Sequence, residues 1–309
     1  MVAPFADSHL LDLARRARRR PAVTLVTAVS IVLPFVAALA GAAAYAAAPA
    51  AAVLPSTRDH SPLVSATARL LVLLLSFGVM SLLAWLWVAR VEQRPFRTLG
   101  FERSAGGPAL RGLLLGLTMF AAVAAVLAVL GLATTTGRPA DPAVLAAVGA
   151  TCVGWAVQGS AEEIVFRGML LQSVALRFGA GAGVAVSAVV FTLLHVLNPG
   201  FTVLAALNLF LVGVFLGRYA LRAGSLWGVC AWHAAWNWAQ ANVLGYSVSG
   251  LGADRATGRI TIIDVTETGP DWLTGGAFGP EAGLVTTAVL ACGIAVQWVR
   301  KPPGGRLAG

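Results

Sequence analysis

The sequence predicts an all-α protein, a polytopic membrane bundle of about eight transmembrane helices, on two observations. The first is composition. Of 309 residues, 58% are hydrophobic and 11% charged, with a mean hydropathy of +0.81, whereas a soluble domain carries roughly a quarter charged residues. The second is run length: crossing ~30 Å of hydrocarbon takes about 20 apolar residues in a helix, and such runs recur along most of the chain.

Taken in order, "RRARRR" at Arg15 to Arg20 closes a basic leader, and the first apolar run, about Val23 to Ala48, is too long for a cleaved signal peptide. A second run covers about Leu63 to Ala89 and a third Gly112 to Ala133. The fourth starts near Pro142 and continues past two glutamates to about Leu176, with Gly159 or Ser160 as a place where it could break. Runs at about Gly181 to His195, Phe201 to Leu221, Leu226 to Gly245 and Gly283 to Val299 complete the set. Between the last two, "GRITIIDV" alternates like a strand and "TGGAFGPEAG" is glycine-rich. This stretch reads as an ordered surface connection, with a cap over the outer face or a substrate-guiding loop as the alternative, and with Pro280 and Glu281 in the first turn of the last helix. The chain divides into N-terminal helices with their leader (1–141), a central helical unit (142–245), and an outer loop, last helix and tail (246–309).

The formal charge of +9 does not point to nucleic acid, because the arginines sit at helix ends with no aromatic interleaving. It points to topology. With the N-terminus inside, the cytoplasmic segments hold Arg15 to Arg20, Arg90, Arg94, Arg97, Arg103, Arg111, Arg177, Arg218, Arg222, Arg300, Lys301 and Arg306. The outer loops hold Arg58, Arg138, Arg255 and Arg259. Both termini are therefore expected in the cytoplasm, and the Ala, Gly and Arg richness suggests a bacterial cell membrane. Cys152, Cys230 and Cys292 lie in apolar runs without metal-ligand spacing and read as small buried residues.

Charges at membrane depth cost several kcal/mol and mark candidate sites. Glu162, Glu163 and Arg167 stand in the fourth run, His195 in the fifth, and His233 with Asn237 in the seventh. Residues four apart share a helix face, so Glu163 and Arg167 can pair as a structural clamp, while the adjacent Glu162 points about 100° away. An unpaired buried carboxylate is a candidate general base. Phe191 with His195, and His233 with Asn237, repeat the four-residue spacing. At 1.5 Å per residue, Glu162, His195 and Asn237 lie about 20 Å from the inner ends of their helices, at one level.

In order and setting, "EEIVFR" (Glu162 to Arg167), "FTLLH" (Phe191 to His195) and "HAAWN" (His233 to Asn237) resemble the three motifs of the CPBP family. These are the CAAX prenyl endopeptidases and bacteriocin-processing intramembrane proteases, with motifs EExxxR, FxxxH and HxxxN. The resemblance implies peptide-bond hydrolysis within the membrane. Glu162 and His195 would activate water, His233 and Asn237 would hold the oxyanion, and Glu163, Arg167 and Phe191 would support the site. Two histidines and a glutamate also form a recognised catalytic zinc set, so a divalent metal such as zinc on Glu162, His195 and His233 is an open alternative to a metal-independent reaction. There is no HExxH. The expected partners are membrane lipid and a peptide, membrane-protein or prenyl-type substrate, and no nucleic acid. A non-catalytic immunity-like or transporter-like membrane protein is the competing class.

Overall fold

The computed structural model describes residue 5 and residues 7–47, 62–137, 141–251 and 260–299. It is an all-α membrane bundle. Helices α1 (His9–Arg15), α2 (Val23–Ala47), α3 (Pro62–Trp87), α4 (Gly106–Val129), α5 (Pro142–Glu163), α6 (Gln172–Phe178), α7 (Ala180–Leu193), α8 (Val203–Ala223), α9 (Trp227–Trp238), α10 (Asp271–Thr274) and α11 (Leu284–Val299) follow one another along the chain. Among the described residues, five stretches are long and apolar enough to cross a membrane, with α5 to α6 counting as one, and α7 and α11 are shorter apolar helices. Large apolar side chains such as Leu39, Val129 and Trp298 face outward, as expected where lipid rather than water is the solvent. Cys152 and Cys292 are also exposed, so of the three cysteines expected to be buried only Cys230 is.

The fourth apolar run does not break at Gly159 or Ser160. It stays α-helical to Glu163, widens into a π-helical stretch over Ile164–Leu171 and narrows again as α6. A π turn shifts backbone bonding from i→i−4 to i→i−5 and is common at functional sites. In a membrane the carbonyls it disturbs need other donors. Ser187 Oγ donates to Phe166 O at 2.8 Å, and Arg94 Nη2 donates to Gly168 O at 3.3 Å. The fifth run forms α7 and ends at Leu193, within two residues of the expected end, with Pro199 and Gly200 (φ +73°) in the connection that follows. His195 therefore sits in a turn just past the helix.

Small residues let the central helices approach closely. A Cβ on Gly112 of α4 would lie 1.9 Å from Gly228 O, and one on Gly116 would lie 2.5 Å from Trp232 O, so α4 and α9 meet backbone to backbone. A Cβ on Gly159 would lie 3.0 Å from Ala234 N and 3.2 Å from His233 Cβ. That contact brings α9 against the end of α5, where the two glutamates are. Trp232 and Trp236 stack at 5.0 Å, and Phe215 and Phe120 pack on them at 5.3 and 5.1 Å.

The arginine-bearing segments gather at one end of the bundle. Arg16 bonds Glu102 at 2.6 Å, Arg19 N bonds Glu92 O at 3.1 Å and Arg103 bonds Ala223 O at 3.2 Å. The leader is more ordered than a basic tail. Its α1 buries Leu10, Leu11 and Leu13, and Ser8 Oγ donates to Leu221 O at 2.5 Å. Arg58, Arg138, Arg255, Arg259, Arg300, Lys301 and Arg306 lie outside the described residues.

At the opposite end, β1 (Ala133–Gly137) and β2 (Ile263–Glu267) pair antiparallel, from Ala133 opposite Glu267 to Gly137 opposite Ile263. The β2 segment is tied to the bundle through Asn242, whose Nδ2 donates to Ile260 O at 2.9 Å and whose Oδ1 accepts from Trp155 Nε1 at 2.7 Å. The connection after α9 was expected to be a surface loop. Instead, Val248, Ser249, Leu251 and Glu281 from it line the main cavity of the bundle and form its roof.

Candidate active site

A cavity of about 880 Å³ lies between α2 and α3 on one side and α5, α7, α8 and α9 on the other. Its walls are mostly apolar, and Pro34 of α2, a residue that cannot donate a backbone bond, is among them. Glu162, His195, His233, Asn237 and Phe191 all line it. Five side chains that stand on three separate runs of sequence thus share one cavity.

Glu163 and Arg167 sit behind this wall, fully buried. Arg167 Nη1 donates to Glu163 Oε1 at 2.8 Å, Nη2 reaches Gly213 O at 3.5 Å, and the guanidinium lies 5.0 Å from the Phe191 ring centroid. The same Glu163 oxygen is 2.9 Å from His233 Nδ1. A carboxylate already held by an arginine can only accept there, so His233 donates through Nδ1 and turns Nε2 to the cavity, where Glu162 Oε2 is 3.6 Å away. Glu162 therefore has a histidine beside it, which spacing along one helix does not reveal. The clamp does more than brace α5: it sets the tautomer and direction of His233.

His195 is oriented in the same way by its own backbone. Its Nδ1 is 2.8 Å from Phe191 O, an acceptor only, so Nδ1 carries the proton and Nε2 keeps its lone pair. The Phe191 ring packs 4.7 Å from the imidazole and 5.3 Å from Phe166. Phe191 thus supports the histidine through both its ring and its carbonyl. Asn237 Nδ2 donates to Gln158 Oε1 at 2.9 Å, which uses one of its two amide hydrogens and leaves the other.

Gln158, Arg69 and Glu281 also line the cavity and were not singled out in the sequence. Gln158 had a usable signal, since it stands four residues before Glu162 and so shares its face. Arg69 had one too, as a charge inside the second apolar run. Glu281 had none: a carboxylate ahead of a helix reads as a dipole partner, and nothing local says it folds back onto the cavity. Among the described residues no three His, Cys, Asp or Glu side chains converge as a group able to hold a metal ion, and Glu162, His195 and His233 are among those residues.

A model of the family described as Type II CAAX prenyl endopeptidase Rce1-like matches residues 139–239. The match spans all three motifs and the helices α5 to α9 that carry them. No curated protein matches the chain at a significant level.

Proposed function

We propose that this chain, whose residues 139–239 match the Type II CAAX prenyl endopeptidase Rce1-like model, is a CPBP-type CAAX protease that hydrolyses a peptide bond of a membrane-associated or prenyl-type substrate by means of activated water. The observation that carries this reading is the convergence of Glu162, His195, His233 and Asn237 on one apolar-walled cavity. Water held between Glu162 and the bare Nε2 of His195 gives its proton to Glu162 as its oxygen attacks the scissile carbonyl carbon. The carbonyl oxygen becomes an oxyanion, and its donors are the free Nδ2 hydrogen of Asn237 and, in the imidazolium form, Nε2–H of His233. Glu163, Arg167, Phe191 and Gln158 keep these groups aimed. Collapse of the intermediate breaks the C–N bond and releases the amine. The test is cleavage of a peptide library by purified protein in detergent.

Asn237→Ala tests the oxyanion role on its own. Loss of one such donor is expected to lower kcat by roughly 10²- to 10³-fold with little change in KM. An equal change in KM at constant kcat would mean that Asn237 only binds substrate.

The cavity lies towards the end of the bundle that carries β1 and β2, away from the clustered arginines, so the positive-inside rule puts the site nearer the outer face. In intact bacterial cells, a single cysteine at exposed Thr134 of β1 should react with an impermeant maleimide, and one at exposed Arg16 should react only after permeabilisation. The reverse pattern would invert the topology and place the cavity towards the cytoplasm.

A further inference from the structure

Hydrolysis of an amide needs a proton for the departing nitrogen as well as a base for the water. The cavity contains a second carboxyl group besides Glu162. Glu281 stands in the short turn Pro280–Ala282, just before α11, and lines the same space as His195 and His233. It lies outside the matched residues 139–239 and outside all three motifs.

The chain invests many contacts in holding Glu281 in place. Its Oε2 accepts from Ser249 N at 2.5 Å and from Ser249 Oγ at 2.9 Å. Its backbone carbonyl accepts from Asn208 Nδ2 at 2.7 Å, and Asn208 also bonds Gly283 O at 2.9 Å. Thr286 Oγ1 closes on Pro280 O at 2.6 Å. Ser249 adopts a left-handed backbone (φ 48°), uncommon for a residue with a side chain, and Asn198 holds its carbonyl at 2.9 Å. Both bonds from Ser249 go to one carboxyl oxygen, so the other is left for a proton or for the cavity.

We propose that Glu281 is the proton donor to the leaving amine in the reaction proposed above, on which this inference rests. In that step the C–N bond of the tetrahedral intermediate breaks, the nitrogen takes the proton from Glu281, and the oxyanion returns to a carbonyl. Glu281 is left as a carboxylate. After product leaves, Glu162 gives up to solvent the proton it took from water and Glu281 takes one back, so both carboxyl groups regain their starting states and no oxidant or further reactant is needed.

The electrostatic setting favours the required protonated form. Burial raises the Glu281 pKa above the usual carboxylate range, against the opposing pull of the Ser249 hydrogen bonds and the charges of His195 and His233. The other charged groups lining the cavity are Glu162 and Arg69. Turnover should therefore fall as pH rises through the Glu281 pKa, because deprotonation removes the donor.

Glu281→Gln separates this role from a structural one, since the amide oxygen can still accept both bonds from Ser249 while the acidic proton is lost. On the library peptide that wild type cleaves best, the variant should lose at least ~10²-fold in kcat, keep its KM and melting temperature, and lack the alkaline fall in rate. Ser249→Ala, which removes the hydroxyl bond to the carboxyl oxygen but keeps the acid, should lower the melting temperature and, because that bond holds the Glu281 pKa down, move the alkaline fall to higher pH. Wild-type turnover in Glu281→Gln, or an unchanged alkaline limb, would overturn the proposal. Infrared difference spectroscopy gives a readout independent of activity. A protonated carboxyl band at neutral pH should be present in wild type and in Glu162→Gln and absent in Glu281→Gln. Its absence from wild type would overturn the donor role even if peptides are cleaved. A Glu281 band in a protein that cleaves nothing would overturn the hydrolase reading and, with it, the donor role.

Discussion

Glu162→Gln is expected to abolish turnover while leaving the fold intact. The change replaces one carboxyl oxygen by an amide nitrogen at nearly constant volume, in a residue that lines the cavity and makes no bond to the clamp behind it. Among the described residues, the ion-pair contact of its carboxylate is the 3.6 Å approach to His233 Nε2. What is lost is the acceptor for the water proton, so the rate should fall by ~10²- to 10⁴-fold or more. Single-turnover cleavage by wild type and variant, with melting curves in the same detergent, provides the check. A variant that cleaves at the wild-type rate would remove Glu162 from the base role and favour an immunity-like or binding function.

Arg167→Ala has the largest expected effect on stability. Both partners of the Arg167 and Glu163 pair are wholly buried, and truncating one strands the other charge, typically at a cost of about 3–5 kcal/mol. Glu163 would keep His233, but Arg167 Nε and Glu163 Oε2 already lack partners, so little slack remains. The double change Arg167→Met with Glu163→Gln should lose less stability than the single one, because neither side is then stranded. Activity should fall in both, since Arg167 fixes the Glu163 oxygen that sets the direction of the His233 ring. Thermal unfolding of the three proteins in one detergent decides it. Equal melting temperatures for wild type and Arg167→Ala would mean that the pair contributes nothing net.

How much of this was legible in the sequence depends on the range of the interaction that makes each feature. The bundle could be read because hydrocarbon imposes one length and one composition on every span. The Glu163 and Arg167 pair could be read because four-residue spacing is a local rule. The link from Glu163 to His233 could not, since it joins positions 70 residues apart and requires α5 and α9 to touch at Gly159. The roof was taken for a surface loop because its polar residues look solvated in sequence, and only the fold turns Ser249 and Glu281 inward.

The hydrogen bond from Ser8 to Leu221 also has a consequence in time. The two residues are 213 positions apart, and α1 buries Leu10 and Leu13 against parts of the bundle made after it. At ~5–20 residues per second of synthesis, roughly 10–40 s pass between the emergence of Ser8 and that of its acceptor. Residues 96–99 and α6 supply part of the surface that covers α1 before then, but its contact with α8 and the acceptor of Ser8 arrive last. Docking of α1 therefore waits on α8, which is made long after it, and a bulky fusion ahead of Ser8 would delay that docking rather than the insertion of any span.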